Sequence, residues 1–332
     1  MLRRPFATLL LLLFLICVCL PVLVVRGCTF YDTPRTGGLT PHAGPAVTLR
    51  RVSNGTTEEI SLEEYVKGVV AAEMPALFHL EALKAQAILA RTYVVRRMRV
   101  FGGAGDPEHP AADISDDPTR GQAWLDQDSL KERWGILHFA GYWAKICRAV
   151  DETAGIVATY GGDLIEVAYH STCGGRTEDS GAVWQASLPY LGPVECSWDR
   201  HSPHQARLVS LTWQELERKL GQQAGTLSVA AAGGKSAVVT VLSRTAGDRA
   251  NQVRIGDLTT TGVDVRRALE LPSARFWVSE SSKGATLTVK GYGHGVGMCQ
   301  YGADGMATQG SKYQNIIAHY FPGVSLRPIF RE

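Results

Sequence analysis

Charge of one sign is missing from this chain. Thirty-four Lys and Arg stand against 32 Asp and Glu, a net +2, which gives no argument for a nucleic-acid partner or an anionic surface. Long apolar runs are also scarce. There is only one, from Phe6 to Val25, so everything after it is expected on a single side of any membrane. No internal repeat is visible, which excludes a solenoid or propeller array. The glycine-dense stretch near the carboxyl end lacks the GK[ST] ending of a phosphate loop. No small-x-small cleavage site precedes Cys28.

What remains is the composition of an ordinary globular protein, 45% hydrophobic and 20% charged. Arg3 and Arg4 precede the apolar run and Arg26 closes it, the pattern of an export segment. About 20 apolar residues span a bilayer as a helix. The expectation is a retained signal-anchor over 1–27, amino terminus inside, with a single-pass, extracytoplasmic body. Cleavage, and lipidation at Cys28, are the alternatives. A tether over 28–45, rich in Gly, Pro and Thr, leads to a core over 46–205. The composition shifts over 206–285, read as a small inserted α+β subdomain, and 286–332 return to the core. The fold class expected is α+β, a mixed core with catalytic helices.

Ser61 and Glu64 form a capping box that starts a helix with Tyr65, Val66, Val69 and Val70 on one face. Pro75 ends it near Glu73–Met74, because the residue before proline avoids the helical region. A second helix is expected over about 80–97 and another over about 126–139. Strands are expected at 156–160 and 164–169, flanking a Gly161-Gly162-Asp163 turn. The Gly-, Ser- and Pro-rich stretch 171–205 reads as a long loop, and loops of that length are usually functional.

Four constellations carry chemistry. Glu73 follows the apolar face of its helix, where desolvation and the negative end of the helix dipole both favour the protonated form. Such a carboxyl can serve as a general acid; the plainer role is an ion pair with a nearby Lys or Arg. Lys84 and Arg91, seven apart, share a face among small alanines, either beside a ligand or on a solvated surface. His170, Cys173 and Cys196 offer three zinc ligands with an open fourth place, at a spacing that is not a standard zinc pattern. Outside the cytoplasm a Cys173–Cys196 disulfide is the rival arrangement, and a Cys/His nucleophile pair a third. Gly293-His294-Gly295 places a histidine on a sharp turn, as a binding rim for a hydroxyl-rich ligand or as a structural turn.

Together the segments Glu64-Tyr65-Val66-Lys67-Gly68-Val69-Val70-Ala71-Ala72-Glu73-Met74-Pro75, Leu80-Glu81-Ala82-Leu83-Lys84-Ala85-Gln86-Ala87, Ala90-Arg91-Thr92-Tyr93, Tyr169-His170-Ser171-Thr172-Cys173-Gly174-Gly175-Arg176-Thr177-Glu178 and Gly293-His294-Gly295-Val296-Gly297-Met298, then Gln300-Tyr301-Gly302-Ala303, resemble the stage II sporulation protein D family of peptidoglycan lytic transglycosylases. Trp184, Pro189-Tyr190-Leu191 and Tyr320-Phe321-Pro322-Gly323 also match. The likeness runs from about residue 46 to the end, in the family's order.

The resemblance implies that Glu73 is the catalytic acid, with Lys84 and Arg91 shaping its cleft. It marks His170, Thr172, His294 and Gln300 as substrate-site residues. It implies peptide-stripped glycan strands as substrate and no required cofactor; a structural zinc is an option that the cysteine and histidine pattern, not the resemblance, leaves open. The partners it implies are an amidase and a membrane scaffold. Some relatives are amidase enhancers, so a glycan-binding role without cleavage is the alternative. Cys299 stands where serine is common in the last motif.

Overall fold

Ser61 opens the helix that carries Glu73. In the computed structural model, residues 44–184, 186–224, 239–256 and 258–329 are described, within one compact unit, Gly44–Glu332. The expected anchor over 1–27 and nearly all of the tether over 28–45 lie outside the described residues. Helix α1 (Leu62–Glu73) is capped by the Ser61 side chain, which accepts from the Glu64 N–H. Tyr65, Val66, Val69 and Val70 are fully buried. Met74 turns extended at ψ 143 in front of Pro75, as the proline demands.

Helix α2 (Leu80–Val95) is buried along nearly its whole length and packs against α1. Most of its buried residues are apolar, and Ala82, Ala85, Ala87 and Ala90 let its neighbours approach closely. Its one deeply buried cation, Arg91, is 0% exposed. The guanidinium forks onto Glu63, Nε to Oε1 at 2.9 Å and Nη2 to Oε2 at 2.6 Å. It also donates to the carbonyls of Ile156 and Val150, and the Gly155 N–H completes the Glu63 carboxylate at 3.1 Å.

Strands β1 (Ala46–Arg50) and β2 (Thr57–Ser61) form a hairpin, and β3 (Ile114–Ser115) adds to β1 in parallel. The helix expected over 126–139 is two helices, α3 (Gln127–Trp134) and α4 (Ile136–Asp151). The break falls at Gly135, whose φ of 72° only glycine adopts readily. Strand β4 (Ile156–Tyr160) pairs with β5 (Asp163–Leu164) across the glycine turn. The strand expected over 164–169 does not continue. After β5 the chain leaves that sheet, and β6 (Tyr169–His170) pairs later in the chain instead.

Among its described residues the loop 171–205 has little regular structure apart from the short α5 (Ser180–Trp184) and a single helical turn at Asp199–His201. A three-stranded antiparallel sheet follows, β7 (Ala206–Thr212), β12 (Gly284–Lys290) and β11 (Phe276–Ser281). A second comprises β8 (Val239–Arg244), β9 (Ala250–Ile255) and β10 (Leu258–Thr261). With α6 (Trp213–Ala224) and α7 (Gly262–Ala268) they enclose their own apolar cluster around Val253, Val265, Phe276 and Leu287.

The chain then returns through β13 (Met298–Cys299), which lies parallel to β6, into α8 (Gln300–Thr308) and α9 (Tyr313–Tyr320). Strand β14 (Ser325–Pro328) closes on β4. The class is α+β, with several small sheets and two apolar clusters. Removing one partner of a buried ion pair leaves the other charge uncompensated. Arg91→Ala is therefore expected to lower the free energy of unfolding by about 3 to 5 kcal/mol, read from denaturant titration.

Candidate active site

The last residue of α1 is Glu73, half-buried under the segment Gln122–Leu125. Its Oε1 accepts from the Ala123 N–H at 3.3 Å. That N–H is in place because Trp124 packs against α1 at Gly68, where a Cβ would overlap the indole. The Leu125 N–H reaches the Gly68 carbonyl at 3.4 Å. Gln122 is held between two phenols: Tyr65 donates to its Oε1 at 3.1 Å, and its Nε2 donates to the Tyr169 hydroxyl at 2.9 Å.

Burial raises the Glu73 pKa above the usual carboxylate range, the Ala123 N–H and the Gln300 side chain pulling it partly back. The Gln300 amide nitrogen is itself buried and makes no hydrogen bond of normal geometry, so it stands beside the carboxyl without being committed elsewhere. Among the described residues no cation pairs with Glu73. The phenols of Tyr65 and Tyr169 are pushed well above their ordinary value, mainly by burial and further by the Glu73 charge, so both stay protonated.

Gln300 enters this site through strand pairing. The β6/β13 register sets Cys299 opposite His170 and Met298 opposite Tyr169. His170 holds the Val296 carbonyl through Nδ1 at 3.1 Å, and its ring meets that of His294 at 5.6 Å. His294 accepts the Val296 N–H on Nδ1 at 3.1 Å and lies 5.0 Å from the Trp184 ring, which is 49% exposed. The turn that presents His294 needs glycine: Gly293 has φ 109°, and a Cβ there would come within 2.8 Å of the His170 Cβ.

Burial lowers the His294 pKa to about 4, with Arg266 adding to it, and burial followed by His294 depresses that of His170. Both imidazoles are therefore neutral near pH 7 and act as hydrogen-bonding groups. His294 also lines a cavity of about 350 Å³ with Glu178, Asn251, Arg266 and Arg267, between the long loop and the inserted sheets.

Other residues singled out in the sequence stand elsewhere. Thr172 is buried, its hydroxyl on Ser202 at 2.6 Å and its backbone paired with Tyr292. Lys84 pairs with Glu81 at 3.0 Å and Glu152 at 2.5 Å. Arg91 grips Glu63, ten residues before Glu73 on α1, which is about 15 Å away at 1.5 Å per residue. The cations that do reach the turn after Glu73 are Arg133, on the Ala72 carbonyl at 3.2 Å, and Lys145, on the Leu77 carbonyl at 3.2 Å. No local signal marks these two, or Ala123, in the sequence.

Cys173 and Cys196 are free thiols and form no disulfide. They converge with Cys299 and Asp199, all four buried, their ligand atoms within 4.8 Å of one another. His170 is not part of this group. Its contacts are Val296 and His294, which separates it from both the expected metal set and a Cys173 nucleophile pair. The sequence reading missed Asp199, three residues after Cys196, and the convergence of Cys299. The Cys299 sulfur accepts the Gly302 N–H at 3.3 Å and so caps α8, the service a serine hydroxyl would give.

The fold and this geometry define an α+β protein with a poorly hydrated carboxyl at the end of a buried helix, beside Gln300, and a separate cluster of two histidines and Trp184. The family model described as Stage II sporulation protein, SpoIID, matches residues 51–160, from just after β1 to the end of β4. The chain is 39% identical over 281 residues to Stage II sporulation protein D of Bacillus amyloliquefaciens, covering 85% of this chain and 78% of that one. It is 38% identical over 291 residues to the protein of the same name from Bacillus subtilis strain 168, covering 87% and 81%. The chain belongs to the stage II sporulation protein D family. It is also 29% identical to a protein named amidase enhancer from Bacillus subtilis strain 168, over 79% of this chain and 40% of that one.

A carboxyl whose pKa is raised on folding contributes stability that is present below its unfolded pKa and lost as pH rises through the folded one. Glu73 is raised from its ordinary value of 4.5. Glu73→Gln is accordingly expected to match the wild-type melting temperature in acid and to exceed it progressively towards neutral pH, as checked by thermal unfolding across that range.

Proposed function

We propose that the protein is a peptidoglycan lytic transglycosylase with Glu73 as its catalytic acid. The observation that carries the reading is a half-buried carboxyl with a raised pKa, an N–H and an amide against it, and no cation or second carboxylate among the groups that act on it. Ordinary glycosidases divide the work between two carboxyl groups. A transglycosylase manages with one. Glu73 protonates the oxygen bridging N-acetylmuramic acid to N-acetylglucosamine, and the carboxylate formed then takes the proton of the sugar's own C6 hydroxyl. That hydroxyl attacks the anomeric carbon, closing a 1,6-anhydro ring without water. No metal or other cofactor enters this sequence.

Trp184 and the neutral imidazole of His294 supply a stacking face and a hydrogen-bonding group for a hydroxyl-rich, weakly charged ligand such as a peptide-stripped glycan strand, with His170 buried behind His294. Thr172 supports this surface from beneath rather than touching substrate, and Lys84 and Arg91 act as structural ion pairs. The setting is cell-wall remodelling in sporulation, with the body outside the membrane on an anchor formed by residues 1–27, beside an amidase and a membrane scaffold. Similarity to the amidase enhancer favours one alternative, a glycan-binding protein that stimulates an amidase without cutting.

Incubation of the protein alone with peptide-free glycan strands, followed by mass spectrometry, is expected to give anhydro-ended saccharides. Glu73→Gln should reduce their formation by about 10²- to 10⁴-fold, the usual contribution of a positioned acid, while strand binding persists. Binding without any products would establish the enhancer reading, and reducing-end products would mean that water is the acceptor.

The acid must be protonated, so activity should fall as pH rises through the Glu73 pKa. Gln300 lowers that pKa by favouring the ionised form. Gln300→Ala is expected to move the alkaline limb of the pH–rate profile to higher pH, and a limb that moves down or stays would remove Gln300 from this role.

A further inference from the structure

Asp199 presents a problem that hydrogen bonds alone do not solve. Its carboxyl is 0% exposed, and among the described residues it has no ion pair. Buried charges are paired, neutralised or bound to metals. Its Oδ1 is fixed by the Gln205 amide at 2.6 Å. That leaves Oδ2 pointing at the Cys173 sulfur, 3.1 Å away, with the Cys299 sulfur at 4.0 Å. Three sulfurs and this oxygen form a closed group, every ligand atom within 4.8 Å of the others. Four ligands at zinc–sulfur distances of about 2.3 Å define a tetrahedron with edges of about 3.8 Å, within a modest contraction of what is present.

The surroundings are arranged for anionic sulfur. The Cys173 N–H donates to the Cys299 sulfur at 3.2 Å, the Gly175 N–H to the Cys173 sulfur at 3.3 Å and the Gly302 N–H to the Cys299 sulfur at 3.3 Å. The Tyr320 hydroxyl lies 3.1 Å from the Cys196 sulfur, and the Gly174 N–H holds Asp199 Oδ2 at 2.7 Å. Arg249, almost fully buried, reaches the Cys173 carbonyl at 3.3 Å and brings a positive charge beside a donor set that exceeds a dication in charge. Outer donors of this kind orient and tune metal ligands. A disulfide between any two of the thiols would leave the Asp199 carboxyl buried with neither a metal nor an ion-pair partner.

We infer that Cys173, Cys196, Asp199 and Cys299 are the four ligands of a structural zinc ion. Soft thiolates in a closed tetrahedral set select zinc, and four protein ligands leave no position for water or substrate. The ion joins the exit of β6, the far end of the long loop and the cap of α8. Gln300, the residue against Glu73, follows the ligand Cys299 directly. The site stands whether or not Glu73 is the acid.

The test is metal analysis of the full-length purified protein. One zinc per chain is expected, with cobalt substitution giving the charge-transfer absorption of thiolate ligation. Cys196→Ser and Cys299→Ser should each lose the zinc, while His170→Ala retains it. Gln205→Ala, which frees the outer oxygen of Asp199, should weaken zinc binding by about 10- to 100-fold in a chelator competition. Chelation of the wild type should expose three thiols to a thiol reagent in step with zinc release. Wild-type protein with less than about a tenth of an equivalent of zinc would overturn the assignment, whether its thiols prove free or two of them joined as a disulfide. So would iron in place of zinc, or zinc lost by His170→Ala and kept by Cys299→Ser.

Discussion

The fork between Arg91 and Glu63 is the interaction on which the placement of the other elements depends. A guanidinium at the middle of a fully buried helix cannot shed its proton, so every neighbour must turn an oxygen towards it. Glu63 does so from the first turn of α1, Val150 from the end of α4 and Ile156 from the start of β4. Three elements are thereby pinned to α2 at one level. The opposite end of α1 is located by other means, Trp124 lying on Gly68 and Pro75 stopping the helix. A helix fixed at both ends delivers Glu73 to one place.

The same arrangement decides the charge state of that residue. At an effective dielectric of 20, a cation 4 Å from a carboxylate is worth about 4 kcal/mol, which is about three pKa units at 1.36 kcal/mol each. A Lys or Arg in contact with Glu73 would overwhelm the effect of partial burial and keep it ionised. The cations of α2 are instead consumed in their own pairs, Lys84 by Glu81 and Glu152 and Arg91 by Glu63. Arg133 and Lys145 approach the following turn but spend their donors on backbone carbonyls. The upward shift of the Glu73 pKa therefore depends as much on where positive charge has been tied up as on desolvation.

Local chemistry made α1 and α2 legible in the sequence: a capping box, a proline stop and an alanine-rich stripe each act within a few residues. The position of Glu73 at the end of α1 was legible for the same reason, while its role as the acid came from the family resemblance. Spacing could show that Lys84 and Arg91 share a face of α2, but not that the face is buried, because partners 28 and 68 residues away decide it. Gly135 looked like any tolerated helical glycine, yet its left-handed backbone splits one expected helix into two. The pairing of β6 with β13 joins residues more than a hundred positions apart in two-residue strands, too short for any periodicity. Asp199, and the convergence of Cys299 on the same group, escaped notice because a ligand set assembled from three distant segments has no spacing to recognise.

That difference in range also divides the labour within the site. The acid arrives by short-range structure, on a helix whose ends are set by neighbouring residues. The group that tunes it arrives by long-range structure, since Gln300 depends on β13 lying against β6 and on the cap of α8 being made by Cys299. A two-residue strand pair is weak support for a positioned amide. Four buried ligand atoms drawn from the same strand ends and the loop between them give that support where backbone pairing is thinnest. The inserted sheets contribute through Arg249, whose guanidinium reaches the Arg176 and Cys173 carbonyls from the β8–β9 turn. Precision at Gln300 is thus a property of how the chain returns after some hundred residues, while the presence of an acid at Glu73 is a property of twelve.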